Sequence, residues 1–241
     1  MTMRRFPIGL WLSAAPVLAA LIALGIWQVH RLEWKEALLA EIQARIASSP
    51  RPLDDVVRSE DDRDYWPVTV TGSFLHSAER HFFATYEGET GYYIYTPLDR
   101  GGHDYVFVNR GFVPYDRKDA ATRADGLVEG VVTITGLARN VLAEKPGSFV
   151  PDNDPAKNIF YWKDLRAMAA SAGLPADAKV LGVFVDAGPA PNPGGLPVGG
   201  VTIVDMPNNH LQYVVTWFGL AAVLVVIVGV MTARRLRTGE A

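Results

Sequence analysis

The residues best suited to chemistry stand at the doorstep of a long apolar stretch. In "PNNHLQYVVTWFGL", 207–220, a histidine, two asparagines, a glutamine and a tyrosine precede an uncharged run, where a plain anchor needs none of them. At helical three/four spacing His210, Tyr213, Val214 and Trp217 share one stripe, so an imidazole heads a line of aromatic surface. Neutral imidazole is a good iron ligand, and an ordinary histidine stays largely neutral at neutral pH. Capping of free amides at a helix start accounts for one asparagine, at 208 or 209, with Pro207 just before. It does not account for His210, Gln212 and Tyr213 together.

A second stretch, "LGIWQVHRLEWK", offers Trp27 and Arg31 at i, i+4, Lys35 one turn further, and Gln28 beside Trp27. Gly25 is small enough to let a neighbouring helix approach closely. If the two stretches pair, their shared mouth holds an imidazole, indoles, the amides of Gln28, Asn209 and Gln212, and one or two cations. Such a set suits a flat, amphipathic dianion, with imidazole on iron, aromatic faces on a macrocycle, and Arg31 or Lys35 on carboxylates. Spacing alone leaves a second reading open. In it the Tyr and Trp residues form an ordinary membrane belt, and Arg31 and Lys35 mark the lipid boundary.

The elements that must position these residues are two uncharged runs, 8–29 and 211–232. Each is about 33 Å long as a helix, against a hydrocarbon core of about 30 Å. The first run is longer than the core of a cleavable signal peptide and meets charge only at Arg31, so an uncleaved span is expected. Arg4 and Arg5 at one end, and Arg234, Arg235 and Arg237 at the other, place both tails on the cytoplasmic side. The expected organisation is a cytoplasmic tail 1–7, a first span 8–29, an amphipathic helical extension 30–49, a periplasmic β-rich domain 50–207, a second span 208–232 and a cytoplasmic tail 233–241. In the extension Leu32, Leu39, Ile42 and Ile46 make the apolar stripe.

The outer segment holds 18 of the 23 basic residues and all but one of the 26 acidic ones, a net charge of −7, which argues against nucleic acid as a partner. No cysteine is present, so disulfide frameworks, thiolate metal sites and covalent haem attachment through CxxCH are excluded. GxSxG, HExxH, GxGxxG and the phosphate-loop spacing are absent as well. From Tyr65 onward the pattern has period two: "WPVTVTGSF", "RHFFATYE", "GYYIYTPL", "DYVFVNRGFVP", "GVVTITGLAR", "KVLGVFVDAG" and "GVTIVDM" read as strands. One helix interrupts at 162–173, closed by Gly173. His76 and His81 would face opposite sides of a strand and are expected to be solvent-exposed loop histidines; His103 belongs to a turn. The fold class expected is a membrane protein: two transmembrane α-helices flanking an extracytoplasmic antiparallel β-rich domain, barrel or sandwich, with one or two helices.

"LGIWQVHRLEWK", "VNRGFVP", "FVPDNDPAKNIFYWKDL" and "NPGGLPVGGVTIVDMPNNHLQYVVTWFGL" together resemble the surfeit locus protein 1 family, in the right order over nearly the whole chain. The resemblance implies a two-span, non-enzymatic assembly factor of cytochrome c oxidase that helps bring haem a to subunit I. It implies His210 as the residue on haem iron, with Trp27, Gln28 and Arg31 matching the first-span motif and Tyr213 and Trp217 the second. Residues 110–114 match the outer-domain "RGFVP", whose role the sequence does not reveal. The implied partners are oxidase subunit I and the lipid bilayer, with the haem a synthesis machinery as a further candidate. With no transit peptide ahead of the first span, a bacterial plasma (inner) membrane of the multi-pass kind is expected. The alternative is a haem-independent scaffold that stabilises subunit I during assembly.

Overall fold

The computed structural model describes residues 8–59, 62–202 and 208–238, and divides into two compact units, 1–41 with 204–241, and 42–203. The tail 1–7 with Arg4 and Arg5, positions 203–206 of the expected last strand, Pro207 and Glu240 lie outside the described residues. In chain order the elements are α1 (Ile8–Ile46), β1 (Arg51–Pro52), α2 (Leu53–Arg58), β2 (Pro67–Phe74), β3 (Arg80–Tyr86) and β4 (Glu89–Asp99). There follow β5 (Asp104–Pro114), β6 (Val131–Asn140), α3 (Leu165–Ser171), β7 (Lys179–Ala187) and α4 (His210–Thr238).

Six of the seven expected strands form as β2 to β7; Val201 and Thr202, from the seventh, are not in a strand. The open choice between barrel and sandwich resolves to a barrel. β2, β6, β7, β5 and β4 follow one another around it, and β4 returns to β2 through Ser73↔Asp99 and Phe74↔Leu98. β1 lies beside β2 and β3 beside β4, outside the ring. A closed ring of five strands cannot alternate direction at every seam. The β5–β7 seam is the parallel one, and the other four are antiparallel.

Side-chain alternation then makes two cores. Val106 and Val108 of β5 with Val183 and Val185 of β7 join Val68, Val70 and Leu98 in one, which α2 enters with Leu53 and Val56. Phe107 and Phe184, between those valines, join Tyr95, Phe160, Met168 of α3 and Ala172 just after it in the other. Both faces of β5 are therefore covered, and every residue from Tyr105 to Val113 is buried. α3 is shorter than expected because Asp164 caps it, accepting from the Ala167 amide at 3.0 Å; it closes with Gly173 at φ +65°.

Within the "RGFVP" segment, Gly111 has φ +124°, and a Cβ there would meet the Val198 carbonyl oxygen at 1.9 Å. Only glycine lets Phe112 and Val198 exchange their two backbone hydrogen bonds, at 2.9 and 2.8 Å. Arg110 beside it is buried, lies 4.7 Å over Phe74, and donates to the Gly126 carbonyl and Asn192 Oδ1. Burial pushes its pKa down to about 10. The segment thus ties β5 to two loops.

His81 corrects the expectation of an exposed loop histidine. It lies on β3, buried, its Nε2 donating at 2.9 Å to Glu79 Oε1, which also accepts from buried Arg123. His76 is half-buried and bonds the Val128 carbonyl oxygen at 2.8 Å. A strand two residues past Glu79 turns the His81 ring inward, and the hydrophobic pattern of "HSAERH" is too short to reveal that. His103 does sit in a turn, at φ +61°, beside Asp177 at 2.8 Å.

In the other unit α1 and α4 pair. One helix covers both the expected first span and its amphipathic extension. On α1 the less exposed positions from Ala14 to Gln28 are 14, 18, 21, 25 and 28; on α4 they begin at 210, 214, 217, 221, 224 and 228. Both rows have the four-three spacing of a two-helix seam. The helices run antiparallel: Trp11 Nε1 donates to Thr232 Oγ1 at 3.1 Å, Phe218 lies on Gly25, and Gln28 meets His210. A Cβ on Gly25 would stand 2.8 Å from the Phe218 ring.

Two outcomes follow from this packing. Cysteines introduced as Trp11→Cys and Thr232→Cys, in a chain with none of its own, should cross-link readily in membranes. Gly25→Leu should cut that yield several-fold and Gly25→Ala should cut it less, since a single methyl needs only a shift of the Phe218 ring tip, read on a non-reducing gel. Around Glu79, burial works to raise the carboxyl's pKa, but His81 and Arg123 hold it below its ordinary 4.5. The unfolded chain therefore takes up this proton first on acidification, and the stability the group gives is present above pH about 4.5 and lost below it. Glu79→Gln should flatten that acid limb. At pH 7 it should cost about 3–5 kcal/mol, because Arg123 stays buried without its counter-charge. Denaturant melts at several pH values measure both.

Candidate functional site

His210 is the first residue of α4, and its position there is fixed from two sides. Asn208 Oδ1 accepts from the His210 amide at 3.3 Å, and the Asn209 carbonyl accepts from the Tyr213 amide at 3.3 Å. The amide-capping role expected at 208 or 209 thus falls to the side chain of Asn208. From α1, Gln28 reaches the imidazole: its Oε1 lies 2.7 Å from His210 Nδ1. Gln28 is only 8% exposed, on a seam otherwise built from apolar and small residues.

This contact decides the imidazole's chemistry. An amide oxygen only accepts, so Nδ1 carries the proton and Nε2 keeps its lone pair. Nε2 has no partner among the described residues. A ring held by a hydrogen bond on one nitrogen, with the other free, is the usual arrangement of a metal-ligating histidine. The imidazole is half-buried, which leaves that nitrogen reachable from outside the pair.

The other sequence-predicted residues divide by helix face. Val214 and Trp217 stand on the seam with His210, whereas Tyr213, expected on the same stripe, is 50% exposed. Trp27 is likewise off the seam, at 53% exposure, next to buried Gln28. The Trp217 indole N–H is buried and has no acceptor among the described residues. Gln212 is exposed, and its carbonyl oxygen accepts from Thr216 Oγ1 at 2.8 Å. The Arg31 guanidinium lies 4.3 Å over the ring of Trp34, one turn along α1; Lys35 is half-buried. The structure therefore brings Gln28 and His210 together and gives Arg31 an aromatic partner that sequence reasoning missed. Phe218 and Thr232 were missed too. Gln28 was among the candidates, and the signal for its place on the seam is its register: it is the one strongly polar residue in the four-three row from Ala14.

The arrangement can offer one nitrogen ligand, flanked by exposed aromatic rings and followed along α1 by cations. Among the described residues no group of three or more His, Cys, Asp or Glu could hold a bare metal ion. One imidazole alone suits iron already held in a planar macrocycle better than a free ion, which needs several protein ligands.

Comparison with known proteins agrees with the motif resemblance. The model of the SURF1 family matches residues 15–222, a span that takes in Gln28, the whole barrel and His210. The human Surfeit locus protein 1 is 37% identical over 218 residues, covering 83% of this chain and 69% of that protein. The Xenopus tropicalis protein of the same name is 38% identical over 222 residues, 84% of this chain and 69% of its own length. A SURF1-like protein of Monosiga brevicollis is 34% identical over 230 residues, 89% and 84%. With a family match over most of its length and relatives above a third identical, the chain belongs to the SURF1 family, a family of assembly factors and not of enzymes.

Proposed function

We propose that this protein assists the assembly of cytochrome c oxidase by holding haem a as cargo at the mouth of its helix pair and passing it to subunit I. The observation that carries the proposal is the His210 imidazole with Nδ1–H bonded to Gln28 and Nε2 unpartnered. Haem supplies an iron that accepts such a nitrogen, and a porphyrin face that packs on aromatic rings; Trp27 and Tyr213 are exposed for that contact. Arg31 and Lys35 are the cations proposed for the propionates, and Asn209, Gln212 and Trp217 complete the rim. A carrier must bind more weakly than the site it serves. One axial ligand from the chain, where a resident haem commonly has more of its surroundings fixed, meets that need.

The proposed setting is a membrane. Both long helices have the length and hydropathy to cross one, and outward apolar side chains such as Leu12 and Val215 are 70% and 66% exposed. Such a surface is stable in hydrocarbon and not in water. We assign 8–29 and 208–232 to the bilayer, 30–49 and 50–207 to the periplasmic side, and the tails 1–7 and 233–241 to the cytoplasm of a bacterial cell, following the arginines at both ends. The haem a synthesis machinery is the proposed donor.

The protein purified in detergent from cells making haem a should carry its absorption bands. His210→Ala should lower the bound haem at least tenfold. Gln28→Leu, which frees the ring without removing the ligand, should weaken binding by about tenfold. Undiminished haem in His210→Ala would remove the histidine from this role. Normal oxidase assembly by that variant, with subunit I still co-purifying, would favour the haem-independent scaffold instead.

A further inference from the structure

The barrel domain contains a second place where polar groups wait for a partner, and it does not depend on the haem proposal. A cavity of about 210 Å³ opens among β3, β4, β5, β6 and β7, with Lys163, just ahead of α3, on its wall. Its lining crosses the sheet in register: Tyr95 faces Asn109, and Asn109 faces Asp186.

The charges there are unequally satisfied. The Asp186 carboxylate accepts from Asn109 Nδ2 at 3.1 Å and Thr202 Oγ1 at 2.9 Å, with Arg139 Nη1 at 3.7 Å. Arg139 in turn donates from Nε to Asp64 Oδ1 at 3.1 Å and lies 4.2 Å over Tyr65. Neither has capacity going to waste. Tyr95 and Lys163 differ. The Tyr95 hydroxyl is fully buried and has no hydrogen-bond partner. Lys163 makes no hydrogen bond or ion pair among the described residues, and its Nζ lies 5.8 Å from the Tyr95 ring centroid. Burial pushes the Lys163 pKa down, with Asp186 working against it.

Lys163 can only donate and the Tyr95 hydroxyl can donate, so one acceptor would satisfy both. Arg139 is matched by Asp64, and Asp186 is held by Asn109 and Thr202 with Arg139 alongside, so Lys163 is the cation here that has no paired carboxylate among the described residues. A monoanion gives Lys163 one counter-charge, whereas a phosphate dianion would bring two negative charges to it beside Asp186. The remaining wall is apolar and flat: the rings of Phe82 and Tyr93 stack 6.3 Å apart at 10°, with Val201 near them. The volume is below the range of drug-sized pockets. We propose that this cavity binds a small monocarboxylate with an aromatic or apolar body, its carboxylate taken by Lys163 Nζ and, once the side chains that cover it shift on binding, by the Tyr95 hydroxyl, with its body laid against Phe82 and Tyr93.

Benzoate is the probe, with benzamide as its uncharged counterpart and inorganic phosphate as the rival anion, each titrated calorimetrically into the full chain in detergent. Benzoate should bind at least tenfold more tightly than either. Lys163→Met should weaken benzoate at least tenfold, and Lys163→Arg should restore most of that loss. Tyr95→Phe should raise the thermal midpoint of the ligand-free chain, since a buried hydroxyl without a partner is removed, and yet weaken benzoate several-fold. A merely structural hydroxyl would not move stability and affinity in opposite directions. Absence of benzoate binding, equal binding of benzamide, tighter binding of phosphate, or affinity unchanged in both Lys163→Met and Tyr95→Phe would each overturn the assignment.

Discussion

One hydrogen bond between two apolar helices, Gln28 Oε1 to His210 Nδ1, sets what the proposed haem site can do. It selects the tautomer, fixes the ring plane and leaves a single lone pair facing outward. The contact exists only because the helices lie close, and their approach runs over Gly25, where the Phe218 ring occupies the space a side chain would need. At the far end Trp11 and Thr232 make the corresponding polar contact. A seam whose centre is apolar and whose two ends are hydrogen-bonded has its register defined: sliding either helix by a turn would break both bonds at once. In surroundings without water, each lost partner would be left unsatisfied, which makes the register a constraint and not a preference.

The barrel answers a different constraint. Its five strands close a sheet that would otherwise leave two long edges, and the small outer strands β1 and β3 are what remains beside the ring. Closure alone buries one face of each strand. The second face of β5 and β7 is buried because α3 and the segment carrying Phe160 lie over Phe107 and Phe184. Gly111 then lets the Val198 backbone come against β5, so the strand is covered by chain on that side too. The "RGFVP" segment is accounted for by packing and by the loop bonds of Arg110, with no ligand required.

The parts legible in the sequence were those governed by local pattern. Two long uncharged runs, six of the seven period-two strands and the Gly173 stop appear where spacing places them. What was not legible came from pairings far apart in the chain. The seam register that puts Gln28, and not Trp27, against His210 depends on which faces of two helices 182 residues apart meet. Tyr213 looked like a member of the His210 stripe because a three-residue step and a four-residue step both count as one face; the seam chose Val214. The burial of His81 depends on Arg123, which approaches Glu79 from a distant loop. The last expected strand read as one by composition, yet Val201 is held by burial and Thr202 by its bond to Asp186, outside any ladder.

Satisfaction of buried polar atoms separates structural groups from groups available for binding. Around Glu79 several atoms lack partners, among them Glu79 Oε2, His81 Nδ1 and Arg123 Nη1, but each belongs to a side chain bonded through another atom. Such a group loses part of its hydrogen-bonding capacity and keeps its anchor. Tyr95 and Trp217 have one polar atom each, and in both it is buried without a partner among the described residues, as is Thr96 Oγ1 on β4. Leaving such an atom unpaired costs about 1–3 kcal/mol, which phenylalanine in place of Tyr95 would avoid with no loss of packing. Core packing therefore does not explain why these two side chains carry a donor. One of the two borders the cavity of Lys163 and Asp186; the other stands two turns along the seam from His210. These two donors, unlike Thr96, fall at the two places where the fold leaves a cation or an imidazole nitrogen without a partner among the described residues, and a ligand at each place would satisfy both kinds of group together.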